Sequence, residues 1–281
     1  MRQKDIERIE IDLFLEGINR RYGYDYRNYA RASLKRRLFE RIQKLGMESI
    51  SEYQKLVLYD EREFTEFFNH MSITVTEMFR DPLFFRSLRD KVISLLETYP
   101  YLKIWNAGCA TGEETYSIAI LLEEEGLLER ALIYGTDFNP TSIQNAQEGI
   151  YPAEKIKKYS DNYTKAGGKG LFSNYFHEKY NRIKIKNSLR KQLTFSEHNL
   201  VTDNSFGEMN LILCRNVLIY FNKMLQNRAI SLFYSSLSNR GFLCLGAKES
   251  LEMSSISSNF EVVGVKEKIF RKKGLASHAA N

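Results

Sequence analysis

The stretch that decides the fold is Asn106-Ala-Gly-Cys-Ala-Thr-Gly-Glu-Glu114. The apolar run Leu102–Ala107 leads into it and predicts a strand, whereas residues 114–122, which follow it, predict a helix. Gly108 and Gly112 permit a tight turn and let a ligand approach the backbone closely. A glycine-rich turn of this kind occurs in many nucleotide-binding folds, and it also occurs as a simple turn with no ligand.

Strand and helix patterns alternate on both sides of this turn. Strands are predicted at residues 131–136, 192–196, 210–214 and 241–246, with a closing hairpin at 260–265 and 268–271, and helices at 140–148 and 223–237. This alternation predicts an α/β domain with a doubly wound, mostly parallel sheet. Residues 151–193 break the rhythm, and we expect a small inserted antiparallel β subdomain at about 167–193.

The residues before the sheet read as helices. Helices are predicted at 31–45, 50–60 and 61–71, with the Leu34, Leu38, Ile42 and Leu45 side chains on one face of the first. Asp81-Pro82 begins a further helix to residue 98, with Leu83 among its inward side chains. The expected organisation is therefore an N-terminal helical domain (1–72), a linker and connecting helix (73–99) and a cofactor-binding domain (100–281).

Charge at the glycine turn distinguishes between adenosine cofactors. Asp137 ends the next predicted strand, where a carboxylate can accept both ribose hydroxyls of an adenosine. NAD and S-adenosylmethionine (SAM) both fit that feature. Glu113 and Glu114 at the helix start would, however, repel a pyrophosphate, whereas the sulfonium and ammonium of SAM tolerate them. The sequence therefore favours SAM.

A second motif is Asn210-Leu-Ile-Leu-Cys-Arg-Asn-Val-Leu-Ile-Tyr-Phe221. A strand is expected to end at Cys214, so that Arg215 and Asn216 line the cleft, with Tyr220 one turn further. An aromatic-rich packing turn is the alternative interpretation of the same residues.

These motifs resemble the chemotaxis receptor methyltransferase family, CheR. The matching segments have the same order and spacing along nearly the whole chain: Ile73-Thr-Val-Thr-Glu-Met-Phe-Arg-Asp81, Ala110-Thr-Gly-Glu-Glu-Thr-Tyr-Ser117, Gly135-Thr-Asp-Phe-Asn139, Gly149-Ile-Tyr151, His198-Asn-Leu200 and Cys214 to Phe221. The resemblance implies a SAM-dependent protein-glutamate O-methyltransferase with S-adenosylhomocysteine (SAH) as product and no metal. It also implies an N-terminal helical domain, a Rossmann-like methyltransferase domain and an inserted β subdomain.

The resemblance also implies the site residues. SAM contacts fall on Thr74, Thr76, Arg80, Gly108, Glu114, Asp137, Asn199, Leu200, Cys214 and Arg215, and the catalytic side chains on Arg80 and Tyr220. Asp137 would take the ribose, Glu114 would face the amino-acid portion, and Arg80 and Tyr220 would lie near the methyl group. The chain departs from the family pattern at Thr115, where proline is common, and at Gly246-Ala-Lys-Glu-Ser250, where many members read Gly-His-Ser-Glu. Some members dock a receptor-tail peptide on the β subdomain, and we do not carry that property over.

Charge is distributed unevenly along the chain. The net charge is +6, but residues 20–44 carry +7 and residues 151–191 carry +8, so the remainder is acidic. Two basic patches suggest an acidic macromolecular partner, which the resemblance identifies as the helical cytoplasmic region of a chemoreceptor or receptor-like signalling protein. We expect Arg36, Arg37 and Lys44 to face outward toward it. The alternative is that the patches are only solvated faces.

Other sequence features narrow the class of protein. Three widely spaced cysteines in apolar stretches suggest buried thiols in a reducing cytoplasm, and the four histidines show no metal-binding spacing. No apolar run is long enough to span a bilayer, and the first sixteen residues lack a signal-peptide core, so we expect a cytoplasmic protein without membrane insertion.

Two alternative functions are a non-catalytic SAM-binding signalling scaffold and a nucleic-acid methyltransferase. Amino-group methylases commonly carry an Asn/Asp-Pro-Pro-aromatic motif that this chain lacks, so we expect no nucleic-acid partner.

Overall fold

The computed structural model describes residues 3–72, 75–205, 207–252 and 254–274. The chain divides into two compact units, the first made of residues 1–73 and 219–228 and the second of residues 74–218 and 229–281. None of the helices within the described ranges is long and apolar enough to cross a membrane.

The first unit is built on four helices: α1 (Gln3–Tyr22), α2 (Arg31–Lys44), α3 (Ile50–Tyr59) and α4 (Glu61–Met71). The side chain of Ser49 accepts a hydrogen bond from the amide of Glu52 at the start of α3, and Asp60 caps α4 in the same way. Leu34, Leu38 and Ile42 are buried as the helical spacing predicts, but the prediction for Leu45 is wrong, because it lies at the end of α2 and is 38% exposed. The segment 219–228 joins this unit through hydrogen bonds to residues 28 and 30.

Two arginines of α2 do not face solvent freely. Arg41 is buried and forms a bidentate ion pair with Glu63, at 2.8 Å for both contacts. Arg37 is half-buried and donates a hydrogen bond of 2.6 Å to the backbone carbonyl of His70 at the end of α4. Burial lowers the pKa of Arg37. The expectation that Arg37 faces outward is therefore wrong, whereas Arg36 and Lys44 are exposed.

The second unit begins with a helical stretch. α5 (Pro82–Leu88) continues through a π-helical turn (Arg89–Ile93) into α6 (Ser94–Leu96), so the single helix expected over 82–98 is interrupted. The side chain of Leu83 is 69% exposed, contrary to its expected inward position.

Strands and helices then alternate as predicted. The strands of the large sheet are β1 (Leu102–Ala107), β2 (Ala131–Asp137), β6 (Leu193–Glu197), β7 (Met209–Cys214), β8 (Leu237–Leu245), β9 (Phe260–Gly264) and β10 (Ile269–Lys272). The helices are α7 (Glu113–Glu124), α8 (Pro140–Glu148), α9 (Ile156–Lys165), the short α10 (Asn187–Arg190) and α11 (Lys223–Ser236), within which the division between the two units falls.

The seven strands lie in the order β6-β2-β1-β7-β8-β10-β9. Neighbouring strands from β6 to β8 pair in parallel, whereas β10 pairs antiparallel with both β8 and β9. The chain order reverses between β1 and β7, because β2 and β6 lie on one side of β1 and the later strands on the other. This is a doubly wound, mostly parallel sheet, as the sequence predicts. Trp105, Ile104 and Leu213 in its centre are fully buried.

A separate antiparallel sheet contains β3 (Ile150–Pro152), β5 (Arg182–Ile185) and β4 (Phe176–Lys179), in that order. β4 and β5 form a hairpin whose two turn residues, Tyr180 and Asn181, both have positive φ. β3 comes directly after α8 and pairs with β5. This small sheet provides the antiparallel β element that the sequence predicts.

Candidate active site

The carboxyl ends of four adjacent strands meet at one edge of the large sheet. In open α/β sheets ligands bind at this edge, at the point where the strand order reverses. Here the reversal lies between β1 and β7. The candidate cofactor residues found there are Gly108 after β1, Asp137 at the end of β2, Asn199 and Leu200 after β6, and Cys214 and Arg215 at the end of β7.

The loop after β1 requires its glycines. Gly108 has φ +77° and Gly112 has φ +90°, in the left-handed region that glycine adopts without strain. A β-carbon added to Gly112 would lie 2.8 Å from the β-carbon of Ala146. The amide of Gly108 donates a hydrogen bond of 2.7 Å to the carbonyl of Thr136, which ties the loop to β2. The loop is thus held close to the end of the neighbouring strand.

Asp137 fixes this loop from β2. Its two carboxylate oxygens accept hydrogen bonds of 3.0 Å from the amides of Ala110 and Asn139. Burial raises the pKa of the Asp137 carboxyl above its ordinary value, against the effect of these amide donors. Because each carboxylate oxygen has two lone pairs, the oriented side chain can still accept hydrogen bonds from a pair of hydroxyls.

The segment after β6 lies beside Asp137. The amide of His198 donates a hydrogen bond of 3.1 Å to the backbone carbonyl of Asp137. The side chain of Asn199 accepts from the amide of Val201 at 2.9 Å and so shapes the turn, and Leu200 is buried. These residues border the Asp137 position without adding charge to it.

Arg215 is the buried centre of an ion network. Its guanidinium donates to Glu114 Oε2 at 2.5 Å and to Asp81 Oδ2 at 2.7 Å, and its side chain is only 1% exposed. It also lies over the ring of Phe84, 4.0 Å from the centroid. The second oxygen of Glu114 accepts from the side-chain amide Nδ2 of Asn106 at 3.3 Å. One cation facing two carboxylates leaves the network with a net charge of −1.

Arg80 sits in a rigid turn next to that network. The residues on either side, Phe79 and Asp81, have φ of +53° and +58°, a conformation that costs about 1–3 kcal/mol for a non-glycine residue. The carbonyl of Arg80 accepts a hydrogen bond of 3.3 Å from Arg215, and the amide of Phe79 donates to the hydroxyl of Ser117 at 2.8 Å. The side chain of Arg80 is itself half-buried and donates to the carbonyl of Val75. The backbone around Arg80 is therefore fixed while its guanidinium stays accessible.

Glu113, at the start of α7, has different partners from Glu114. It is buried and accepts hydrogen bonds from Thr111 at 2.6 Å and from Tyr159 at 3.1 Å, with the ammonium of Lys155 at 3.5 Å. Burial raises its pKa above the ordinary value of 4.5. Each of the two acids at the helix start thus has its own cationic partner, which the sequence did not indicate.

The remaining candidate residues are less completely placed. Cys214 is fully buried, and burial raises the pKa of its thiol well above the ordinary range, so the side chain stays uncharged. Thr76 is half-buried, and Thr74 lies outside the described residues. Tyr220 belongs to the first unit, where its carbonyl accepts a hydrogen bond of 2.7 Å from the amide of Ala30.

Sequence reasoning missed two acidic residues of this region. The sequence pattern indicates Asp81 as the start of a helix, yet its carboxylate binds Arg215 and makes no capping hydrogen bond. Glu249 is buried behind the loop after β7 and accepts three backbone hydrogen bonds. The signal in the sequence is the carboxylate of Glu249 in Gly246-Ala-Lys-Glu-Ser250, the segment that follows the apolar strand β8.

The geometry fits SAM. An oriented carboxylate at Asp137 and an ion network of net charge −1 beside the glycine loop suit an adenosine attached to a cationic sulfonium and ammonium. Across the described ranges no group of three or more His, Cys, Asp or Glu side chains is arranged to hold a metal ion.

Comparison with known proteins identifies two family models. Residues 9–72 match the model described as "CheR methyltransferase, all-alpha domain", and residues 74–269 match "CheR methyltransferase, SAM binding domain". A Pseudomonas putida protein named Cher3 is 48% identical over 264 residues, covering 94% of this chain and 97% of that protein. A chemotaxis protein methyltransferase of Listeria innocua is 30% identical, covering 85% of this chain and 88% of its own length. Chemotaxis protein methyltransferase 2 of Vibrio cholerae is also 30% identical, covering 89% and 86%.

Proposed function

The chain belongs to the CheR methyltransferase family, and from that premise we propose that it methylates glutamate side chains of a chemoreceptor or receptor-like signalling protein. The product is a glutamyl methyl ester, and the reaction consumes SAM and leaves SAH. The observation that carries the proposal is the Glu114–Arg215–Asp81 network, whose buried central arginine also donates to the backbone carbonyl of Arg80 beside the cofactor loop.

The cofactor is assigned to residues of this chain. Asp137 accepts the ribose hydroxyls, Glu114 faces the amino-acid portion, and the backbone of the loop at Gly108 lies against the ligand. Thr74, Thr76, Asn199, Leu200, Cys214 and Arg215 complete the proposed pocket. Bound SAM supplies a methyl group activated by its sulfonium.

The protein's task in this reaction is positioning. A glutamate carboxylate, with an ordinary pKa of about 4.3, is already ionised at neutral pH and needs no general base. Arg80 holds one oxygen of the substrate carboxylate, which leaves the other free to attack. Positioning of this kind contributes several kcal/mol in favourable cases. Tyr220 is the second proposed catalytic side chain and orients the reacting groups.

The partner is proposed to be acidic and helical. Exposed Arg36 and Lys44 of α2 offer a cationic face to such a helix, and exposed charges of this kind mainly raise the association rate. Arg37 does not contribute to that face because its guanidinium binds the end of α4.

The test is methyl transfer from tritiated SAM to three samples: a purified receptor cytoplasmic fragment, RNA, and no acceptor. The proposal expects label in the receptor fragment that mild base releases, since methyl esters hydrolyse readily. An Arg80→Ala protein, which keeps the ion network, serves as the control for catalysis. Label in RNA would indicate a nucleic-acid methyltransferase. SAH binding with no transfer to any receptor fragment would indicate a signalling scaffold, and either result overturns the proposal.

A further inference from the structure

Glu249 is a buried carboxylate with no role in the reaction described so far. It follows β8 and is 5% exposed. The amide of Gly246 donates to its Oε2 at 2.6 Å, and those of Asn216 and Val217 donate at 3.1 and 2.8 Å. One side chain therefore joins the loop after β8 to the loop after β7.

The loop after β7 is shaped to receive this carboxylate. Asn216 has φ +62°, a left-handed conformation that is unfavourable for a non-glycine residue. Consecutive amides around such a residue form a small anion-binding concavity, and here Glu249 fills it. A β-carbon added to Gly246 would lie 2.8 Å from the amide nitrogen of Asn216, so the two loops are in close contact. Without the carboxylate, three backbone amides, those of Asn216, Val217 and Gly246, would lose a charged acceptor.

Val217 carries this constraint to the cofactor loop. A β-carbon added to Gly108 would lie 2.4 Å from Cγ2 of Val217, so the valine side chain packs directly on the glycine backbone. Gly108 has φ +77° and begins the loop that Asp137 holds at Ala110. The position of Val217 thus limits where the first residue of the loop can lie.

We propose that Glu249 is a positioning residue for the cofactor: it holds Val217 against Gly108 and thereby sets the affinity for SAM and SAH. The proposal rests on the proposed cofactor site, and it adds a residue outside the set that the motifs assign. Glu249 acts through the backbone of the loop after β7 and is not itself assigned a contact with the ligand.

The experiment is a double-mutant cycle on SAH binding, measured by calorimetry. Glu249→Gln keeps the shape of the side chain but turns one acceptor oxygen into a donor that faces amide groups. Val217→Ala keeps the backbone amides but removes the methyl groups that pack on Gly108. We expect Glu249→Gln to weaken SAH binding about tenfold and Val217→Ala about threefold, with the double variant no weaker than Glu249→Gln alone. Glu252→Gln, an exposed glutamate three residues on, is the matched control and should bind as the parent does.

The possible outcomes distinguish a failure of the proposed function from a failure of the positioning role of Glu249. Parent protein that does not bind SAH contradicts the proposed function itself. If the parent binds SAH and Glu249→Gln binds it with the same affinity but melts at a lower temperature, the role of Glu249 is purely structural. That result overturns the inference. If the loss of SAH affinity in the double variant equals the product of the two single losses, Glu249 does not act through Val217. If Glu249→Gln does not fold, the same cycle is run with Glu249→Asp, which keeps the charge but shortens its reach.

Discussion

Replacing Arg215 with methionine tests the ion network on which the site depends. Methionine fills much of the same volume, so the main loss is the positive charge. Glu114, whose side chain is only 11% exposed, would then keep the side-chain amide of Asn106 as its one hydrogen-bond partner among the described residues. Breaking a buried ion pair by removing one partner costs about 3–5 kcal/mol, because the other charge stays buried. Asp81 is 48% exposed and adds at most about 1 kcal/mol.

We therefore expect Arg215→Met to lower the free energy of unfolding by about 3–5 kcal/mol. Urea unfolding followed by tryptophan fluorescence measures this directly, since Trp105 is the chain's single tryptophan and is buried in β1 of the second unit. The control is Arg86→Met, which replaces an exposed arginine on α5 and should change stability by less than about 0.5 kcal/mol.

A second substitution distinguishes lost charge from lost packing. Adding Glu114→Gln to Arg215→Met removes the uncompensated carboxylate and should recover about 2 kcal/mol. A loss of 1 kcal/mol or less in Arg215→Met would refute the reasoning. A double variant no more stable than Arg215→Met would refute it as well, because the cost could not then come from burying the charge of Glu114.

Four further predictions follow from the site and its surroundings. Asp137→Ala should weaken SAM binding about tenfold to a hundredfold, because hydrogen bonds to a charged acceptor contribute about 1.5–3 kcal/mol; unchanged affinity in calorimetry would remove Asp137 from the site. Arg80→Ala should lower turnover much more than SAM affinity, and equal losses in both would argue against a catalytic role. Burial raises the pKa of Glu113 above 4.5, so the folded protein binds a proton there more tightly than the unfolded chain does. The free energy of unfolding of the parent, compared with that of Glu113→Gln, should therefore fall as pH rises from 4.5 through the raised pKa. If urea unfolding gives the same pH dependence for both proteins, this prediction is wrong. Replacing Arg36 and Lys44 with glutamate should slow methylation at limiting receptor concentration and leave SAM binding unchanged. If the methylation rate loses its dependence on salt concentration only when residues 151–191 are altered, the partner docks on that patch instead.

The sequence predicted those elements whose ends carry local signals. The helix α8 has its predicted bounds because the side chain of Asn139 caps it, Pro140 occupies its first position and Gly149 ends it with φ +61°. The strand β1 is likewise as predicted, since a short apolar run between a polar segment and a glycine loop favours a strand. Local rules sufficed for such elements because they depend on neighbours in the chain.

Features that depend on distant residues were not predictable. β3 is three residues long, too short to show alternation, and exists through pairing with β5 some thirty residues later. Helical spacing placed Arg37 outward, but its long side chain reaches the carbonyl of His70 on another helix. The partners of Glu113 and Arg215 come from α9 and from the turn at Asp81, so the sequence could indicate acids at the cofactor loop but not how their charges are balanced.

The most direct test of the central claim is mass spectrometry of a receptor cytoplasmic fragment after incubation with this protein and SAM. We expect peptides heavier by one methyl substitution, with fragmentation placing the added group on glutamate and mild base removing it. The same peptides should stay unmodified with the Arg80→Ala protein. Methylation confined to lysine, to the termini or to nucleic acid, or a parent protein that binds SAH yet modifies no glutamate, would contradict it.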